Sequence, residues 1–317
     1  MSLAPRAVLV HRTTEYEELL VRHGTHGHAE FFLRGHGQSL TEVFERHRRT
    51  KRALAEVAAA VPLTWRRARV ERADLDRFLF APEDVVVVVG QDGLVANAAK
   101  YLAAQPVVGF DTEPGRNPGV LVRHRAAQAA ALIPAALSPR TAVEELTMVE
   151  AVTDDAQRLV ALNEVYVGQP GHQTARYALA AQPAPAGRPH NRTDPHQPDG
   201  ADECPVEHQA SSGVVVGTGT GATGWLRSLW QERGGTLPLP RPDDRRLAWF
   251  VREAWASPAT GTSRVEGVLA AGDRLRLTVE SDRLVAFGDG METDALQLSR
   301  GQTVRLGVSD TSLRLLG

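Results

Sequence analysis

Five consecutive valines, Val85–Val89, run directly into Gly90-Gln91-Asp92-Gly93. A β-branched run without polar alternation fits a strand covered on both faces, as in a parallel sheet flanked by helices. The strand stops at Gly90, and Leu94–Leu102 reads as a helix starting immediately afterwards. A strand that turns through glycine into a helix start presents unpaired backbone N–H groups, which can hold phosphate. A carboxylate at Asp92 is out of place in a plain anion cradle. It fits a site that handles a proton or a metal-bound phosphate, so phosphoryl transfer is the first chemistry suggested.

At 317 residues the chain is long for one compact core, and two domains are expected. Residues 1–138 alternate strand and helix patterns. Ala7–Val10 reads as a strand, Leu63–Val70 as a weaker one and Pro106–Phe110 as another. Ser39-Leu40-Thr41-Glu42 has capping-box spacing, ahead of a helical apolar face of Leu40, Val43, Phe44, Leu54 and Val57. This rhythm predicts a Rossmann-like parallel sheet with right-handed crossovers and a site at the strands' carboxyl ends.

Residues 139–317 change to short period-two runs: Val165–Val167, Tyr177–Leu179, Val214–Val216, Leu247–Val251, Leu275–Val279 and Val304–Leu306. Turn signals such as Ala271-Gly272-Asp273 and Gly288-Asp289-Gly290 separate them, which predicts a mostly-β, β-sandwich-like domain. Whether its last strand returns to the first domain is open. Residues 181–208 almost lack large apolar side chains and are expected to be a disordered insertion in a β-hairpin.

A net charge of −2 creates no overall field favouring nucleic acid or an anionic membrane surface. No run approaches the roughly 20 apolar residues of a membrane helix. Ala4–Val10 lacks the flanks of a signal peptide, so a cytoplasmic protein is expected. Cys204 is the single cysteine, which excludes an intrachain disulfide and thiolate clusters. His190, His196, Cys204 and His208 match no closed zinc spacing, and no metal ligand is assigned.

Four motifs in order carry a family resemblance: Gly90–Gly93; Ala161-Leu162-Asn163-Glu164-Val165; Ser211-Ser212-Gly213; and Thr218-Gly219-Thr220-Gly221-Ala222-Thr223-Gly224-Trp225. Together they resemble the NAD kinases. The mitochondrial-type branch is most similar, through Arg12-Thr13-Thr14-Glu15-Tyr16, Val108-Gly109-Phe110-Asp111-Thr112-Glu113-Pro114 and Val251-Arg252-Glu253. The resemblance implies transfer of phosphate from ATP, with magnesium, to the adenosine ribose 2′-hydroxyl of NAD. It also implies a homodimer or larger, and an active site between an α/β and a β domain. Asp92 would be the general base. Gly90, Gln91, Gly93, Asp111 and Thr112 would form the phosphate side. Asn163 and Glu164 would hold riboses and amide; Thr218, Gly219, Thr220, Gly221, Thr223, Gly224, Trp225 and Ser228 would surround adenine and ribose.

The same residues have simpler readings: an Asp helix cap at Asp92, a polar loop at Asn163–Glu164, a plain turn at Gly217–Gly224, and a hairpin turn or functional group at Asp289. The chain departs from the family at Gln91 (second glycine of the signature), Leu94 (threonine), Asp111 (asparagine) and Ala254 (proline). A left-handed backbone at position 91 would make Gln cost about 1–2 kcal/mol. Asp111 would add negative charge beside polyphosphate. Two alternatives therefore stand beside NAD kinase: a catalytically weak homologue that binds nucleotide as a regulator, and a kinase for another small-molecule hydroxyl.

Overall fold

The computed structural model describes residues 4–116, 119–184 and 205–317. The chain divides into two compact units, Met1–Glu145 with Leu313–Gly317, and Leu146–Ser312.

The first unit contains β1 (Arg6–His11), α1 (Glu15–His23), α2 (His26–Gly35), α3 (Leu40–Ala60), β2 (Arg66–Glu71), β3 (Asp84–Gly90), α4 (Asp92–Ala99), β4 (Pro106–Asp111), β5 (His124–Arg125) and α5 (Ala129–Ala135). Its strands run parallel in the order β2-β1-β3-β4. On the far side of β4, Arg314 and Leu315 pair with Pro106 and Val107, and β5 pairs with Phe110 and Asp111. The valine run is the centre of this sheet, each member at most 1% exposed. Val85, Val87 and Val89 pack with Leu54 and Val57 of α3 and Ile133 of α5. Alternation sends Val86 and Val88 to the opposite face, and α4 packs on β1, β3 and β4 with Leu94–Ala99 all buried.

Three sequence expectations need adjustment here. Ser39 is the residue before α3, but its side chain makes no capping bond. The capping box forms instead at Thr14 and Glu17, at the start of α1. The strand expected from Leu63 begins at Arg66, because Leu63 lies in a turn closed by Trp65 N–H to Pro62 O and is itself 94% exposed. Helix α4 ends at Ala99 rather than Leu102.

The second unit contains β6 (Val143–Thr153), β7 (Arg158–Ala161), β8 (Glu164–Gly168), β9 (Ala175–Gln182), β10 (Glu207–Ser211), β11 (Val214–Gly217), α6 (Trp225–Glu232), β12 (Arg246–Val251), β13 (Glu266–Ala270), β14 (Arg274–Val279), β15 (Arg283–Gly288), β16 (Met291–Ser299) and β17 (Thr303–Leu316), with the ends of β6 and β17 lying in the first unit. One antiparallel sheet runs β13-β12-β11-β8-β15-β16, and β10-β9-β14-β17 forms a second layer. Val165, Val167, Val214 and Val216 of the first layer share one core with Tyr177, Leu179, Leu275, Leu277, Val304 and Leu306 of the other, the expected sandwich. Strands β9 and β10 are antiparallel neighbours, so the expected hairpin is present. They claim residues 181–182 and 207–208, which the sequence assigned to the insertion. His190, His196 and Cys204 lie outside the described residues; His208 sits on β10 and bonds Glu280. No helix among the described residues is long and apolar enough to cross a membrane.

At the amino ends of β1 and β3, Arg6 bonds both carboxylate oxygens of Asp84, at 2.7 and 2.6 Å. Asp84 is fully buried and also accepts the Ala81 N–H at 2.7 Å. Removing the guanidinium strands a buried charge. Arg6→Ala should lower unfolding free energy by about 3–5 kcal/mol, read by urea denaturation; a loss below about 1 kcal/mol would contradict this pairing.

Candidate functional site

In the first unit the expected phosphate-side residues gather where β3 and β4 end. Gly90 pairs with Asp111, and Thr112 N–H reaches Gly90 O at 3.4 Å. Gln91 precedes α4 with φ −120° and ψ 166°, extended backbone that any residue adopts. The strain expected for Gln at this position is therefore absent. Leu94 packs over Gly90, where an added Cβ would come within 3.0 Å of its Cδ2.

Asp92 opens α4, and its carboxylate is aimed away from the helix. Oδ1 accepts the N–H groups of Leu121 and Val122, each at 2.9 Å, and Oδ2 accepts that of Val120 at 2.9 Å. Gly109 on β4 completes the seat, because a Cβ there would lie 2.4 Å from Leu121 O. Asp92 is thus an anchor for the loop that crosses the end of the sheet. A carboxylate offers about four lone-pair sites; among the described residues three are filled, and the one left is on Oδ2. Asp111 Oδ1 accepts the Glu113 N–H at 2.7 Å, which fixes the turn after β4.

The second unit builds a matching arrangement around Asn163 and Glu164. Asp289, in the β15–β16 turn, has φ 53° and Gly290 has φ 66°, the positive values a tight hairpin turn requires. That geometry turns the Asp289 carboxylate onto the β7–β8 corner, where it accepts Leu162 N–H at 2.8 Å and Asn163 N–H at 2.7 Å. Asp289 N–H in turn donates to Glu164 O at 3.1 Å. So Asp289 is both turn residue and anchor. Burial, and then the Asp289 charge, push the Glu164 carboxyl up to about 8. At neutral pH Glu164 is therefore mainly protonated and can donate a hydrogen bond.

The Gly/Thr loop packs against the same corner. Thr218 N–H donates to Asn163 O at 2.9 Å, and its hydroxyl donates to Leu162 O at 2.6 Å. That hydroxyl also accepts from Thr220 N–H and Gly221 N–H, at 3.1 and 3.3 Å. All three of its hydrogen-bonding positions are committed to the turn, so it has none for a ligand. The glycines serve close packing of the chain on itself: a Cβ at Gly221 would lie 2.3 Å from Asn163 O, and one at Gly219 would lie 2.0 Å from the Arg241 carbonyl carbon. Thr220 differs. Its hydroxyl is buried and has no hydrogen-bond partner among the described residues. Thr223 Oγ1 donates to Thr220 O at 2.9 Å, and Thr223, Gly224 and Ser228 are exposed around the start of α6.

Trp225 stacks on Tyr166 at 5.8 Å, Tyr166 meets Phe287 at 5.0 Å, and the Arg252 guanidinium lies 5.4 Å from the Trp225 ring centre. Tyr166, Phe287, Arg49 and Arg116 are neighbours of the predicted residues that the motifs did not select, and Glu113 is one that lay inside a motif without being assigned a role. Tyr166 was visible only as a strand residue. Arg49 was hidden in the basic run Arg46–Arg52, which lacks a spacing signal.

Two expectations follow from these bonds. Glu164 holds a proton more tightly in the folded chain, so its stabilising contribution is complete below pH 4.5 and is lost as pH rises through about 8. Relative to Glu164→Gln, wild-type urea midpoints should fall between pH 5 and 8.5; parallel curves would contradict the raised carboxyl. Thr218→Val removes every bond of its hydroxyl and should cost about 1–3 kcal/mol, whereas Thr220→Val deletes an unpartnered hydroxyl and should not lower the melting temperature.

No protein-family model matches the sequence, and no curated protein matches it. Among solved structures, an NAD kinase from Archaeoglobus fulgidus in complex with ATP aligns with 98% of this chain and 93% of its own length, with a TM-score of 0.55 and 16% identity. At that identity the likeness concerns the backbone alone. The chain has the two-part fold, parallel α/β followed by mostly antiparallel β, seen in that NAD kinase.

Proposed function

We propose that this chain is an NAD kinase, transferring the terminal phosphoryl group of ATP to the adenosine ribose 2′-hydroxyl of NAD. What supports this most directly is where the sequence motifs fall on the shared fold. Gly90–Gly93 ends a central parallel strand, and Asn163-Glu164 and the Gly/Thr loop are bonded into one corner. The motif order of the mitochondrial-type branch adds to it.

Each residue then has a task set by its bonds. The remaining lone pair on Asp92 Oδ2 accepts the hydrogen bond of the 2′-hydroxyl, holding its oxygen in line with the γ-phosphorus. As the new P–O bond forms and the bond to ADP breaks, the hydroxyl proton passes to Oδ2. The three N–H bonds keep the carboxylate from rotating, so orientation precedes reaction. Protonated Glu164 donates to a ribose or amide oxygen, and the Asn163 carboxamide both donates and accepts. Thr220 supplies the buried hydroxyl that a bound sugar or base satisfies. Among the described residues no group of three or more His, Cys, Asp or Glu side chains is placed to hold a metal; magnesium enters this scheme with the donor, as Mg-ATP.

A binding protein without turnover is the second reading. It draws on Asp111 and Glu113, two acids beside the phosphate loop whose charges oppose a polyphosphate. Incubation with Mg-ATP and NAD separates the two. Wild type should form NADP, and Asp92→Asn should lower kcat by at least about a hundredfold while retaining NAD binding. Micromolar NAD binding with no NADP from either protein would establish the second reading instead.

A further inference from the structure

Glu113 lies two residues beyond β4, and its side chain is only 10% exposed. Three donors from separate segments converge on its carboxylate. Gln91 Nε2 donates to Oε2 at 2.9 Å, while Arg116 Nη1 and Arg49 Nη2 stand 3.4 and 3.8 Å from Oε1. The bond from Glu113 N–H to Asp111 fixes the backbone, so the carboxylate stays at the mouth of the Gly90–Gly93 turn. A carboxamide and two guanidiniums are also a donor set that grips phosphate oxygen. The two arginines are half exposed and approach at ion-pair distance without a closed fork, so exchanging one anion for another costs each of them little. Arg46, Arg49 and Arg116 also line an open depression of about 330 Å3, together with Glu42 and Glu45.

We propose that Glu113 is the resident anion of a triphosphate subsite, occupying in the free chain the donors that the outer phosphates of a linear triphosphate take when bound. Gln91, the departure from the family's glycine, then has a use: a glycine could not supply the carboxamide. Glu113 sets how tightly the donor is held, because each bound triphosphate must displace it from the arginines. The assignment of that triphosphate as phosphoryl donor rests on the NAD kinase reading; the binding itself does not.

Calorimetric titration of the whole chain with Mg-ATP, and separately with inorganic tripolyphosphate, tests this. Glu113→Gln keeps the shape and removes the competing charge, and should tighten binding about tenfold at low salt. Arg49→Ala combined with Arg116→Ala in the wild-type background should weaken it by a similar factor, and both side chains are exposed enough to be replaced without disturbing the core. A gain for both ligands supports recognition of the phosphate chain. A gain for ATP alone supports the subsite with a nucleotide as its source, and a gain for tripolyphosphate alone supports it with free polyphosphate. Unchanged or weaker binding in a folded Glu113→Gln protein overturns the proposal, and so does unchanged binding in the double arginine variant. Altered binding without NADP formation would remove the kinase assignment and leave the subsite. NADP formation with unaltered binding in both variants would do the reverse.

Discussion

A side-chain carboxylate holding backbone N–H groups of a neighbouring loop is the interaction on which both candidate sites depend. Asp92 holds Val120, Leu121 and Val122 over the end of the parallel sheet. Asp289 holds Leu162 and Asn163 at the β7–β8 corner. Bonds from amides to a charged acceptor are stronger than neutral ones, and losing the acceptor would leave several partly buried donors unmatched at once. Each aspartate therefore determines the path of the segment beside a candidate site, before any ligand is considered.

This division of labour shapes what remains for a ligand. Thr218, Gly219 and Gly221 are consumed by packing the Gly/Thr loop on Asn163 and on Arg241. Among the described residues the groups left over are few: in the first unit one lone pair of Asp92, and in the second the Thr220 hydroxyl, the largely protonated Glu164 and the exposed rim of Thr223, Gly224 and Ser228. On the phosphate side the acids Asp111 and Glu113 are already engaged, one by a backbone N–H and the other by Gln91 and two arginines.

The fold was readable because its signals are local. An unbroken valine run has one environment that suits it, and the period-two segments of the second unit need an apolar partner layer, which the shared core of Val165, Val214, Leu275 and Val304 supplies. The turn at Gly288–Gly290 was equally plain, since Asp-Gly favours positive φ. What escaped depends on distant partners. Spacing placed a capping box at Ser39, yet whether a hydroxyl caps depends on its rotamer, and Thr14 does so instead. Glycines in the Gly/Thr loop suggested approach to a ligand, but the approach of Gly219 is to Arg241, more than twenty residues away and without sequence signal. Gln91 looked strained only on the supposition of a left-handed backbone, which the strand-to-helix turn does not adopt. The sharing of Glu113 among Gln91, Arg49 and Arg116 likewise joins three segments that no motif connects.

Amide hydrogen exchange at Val120, Leu121 and Val122 tests the anchoring most directly. These amides lie outside any helix or strand ladder, and among the described residues the Asp92 carboxylate is their hydrogen-bond acceptor. Strong protection in the free wild-type chain is the result expected if the carboxylate holds the loop as described. Exchange at the rate of an open peptide would show that the loop is unanchored, and the account of this site would fall with it.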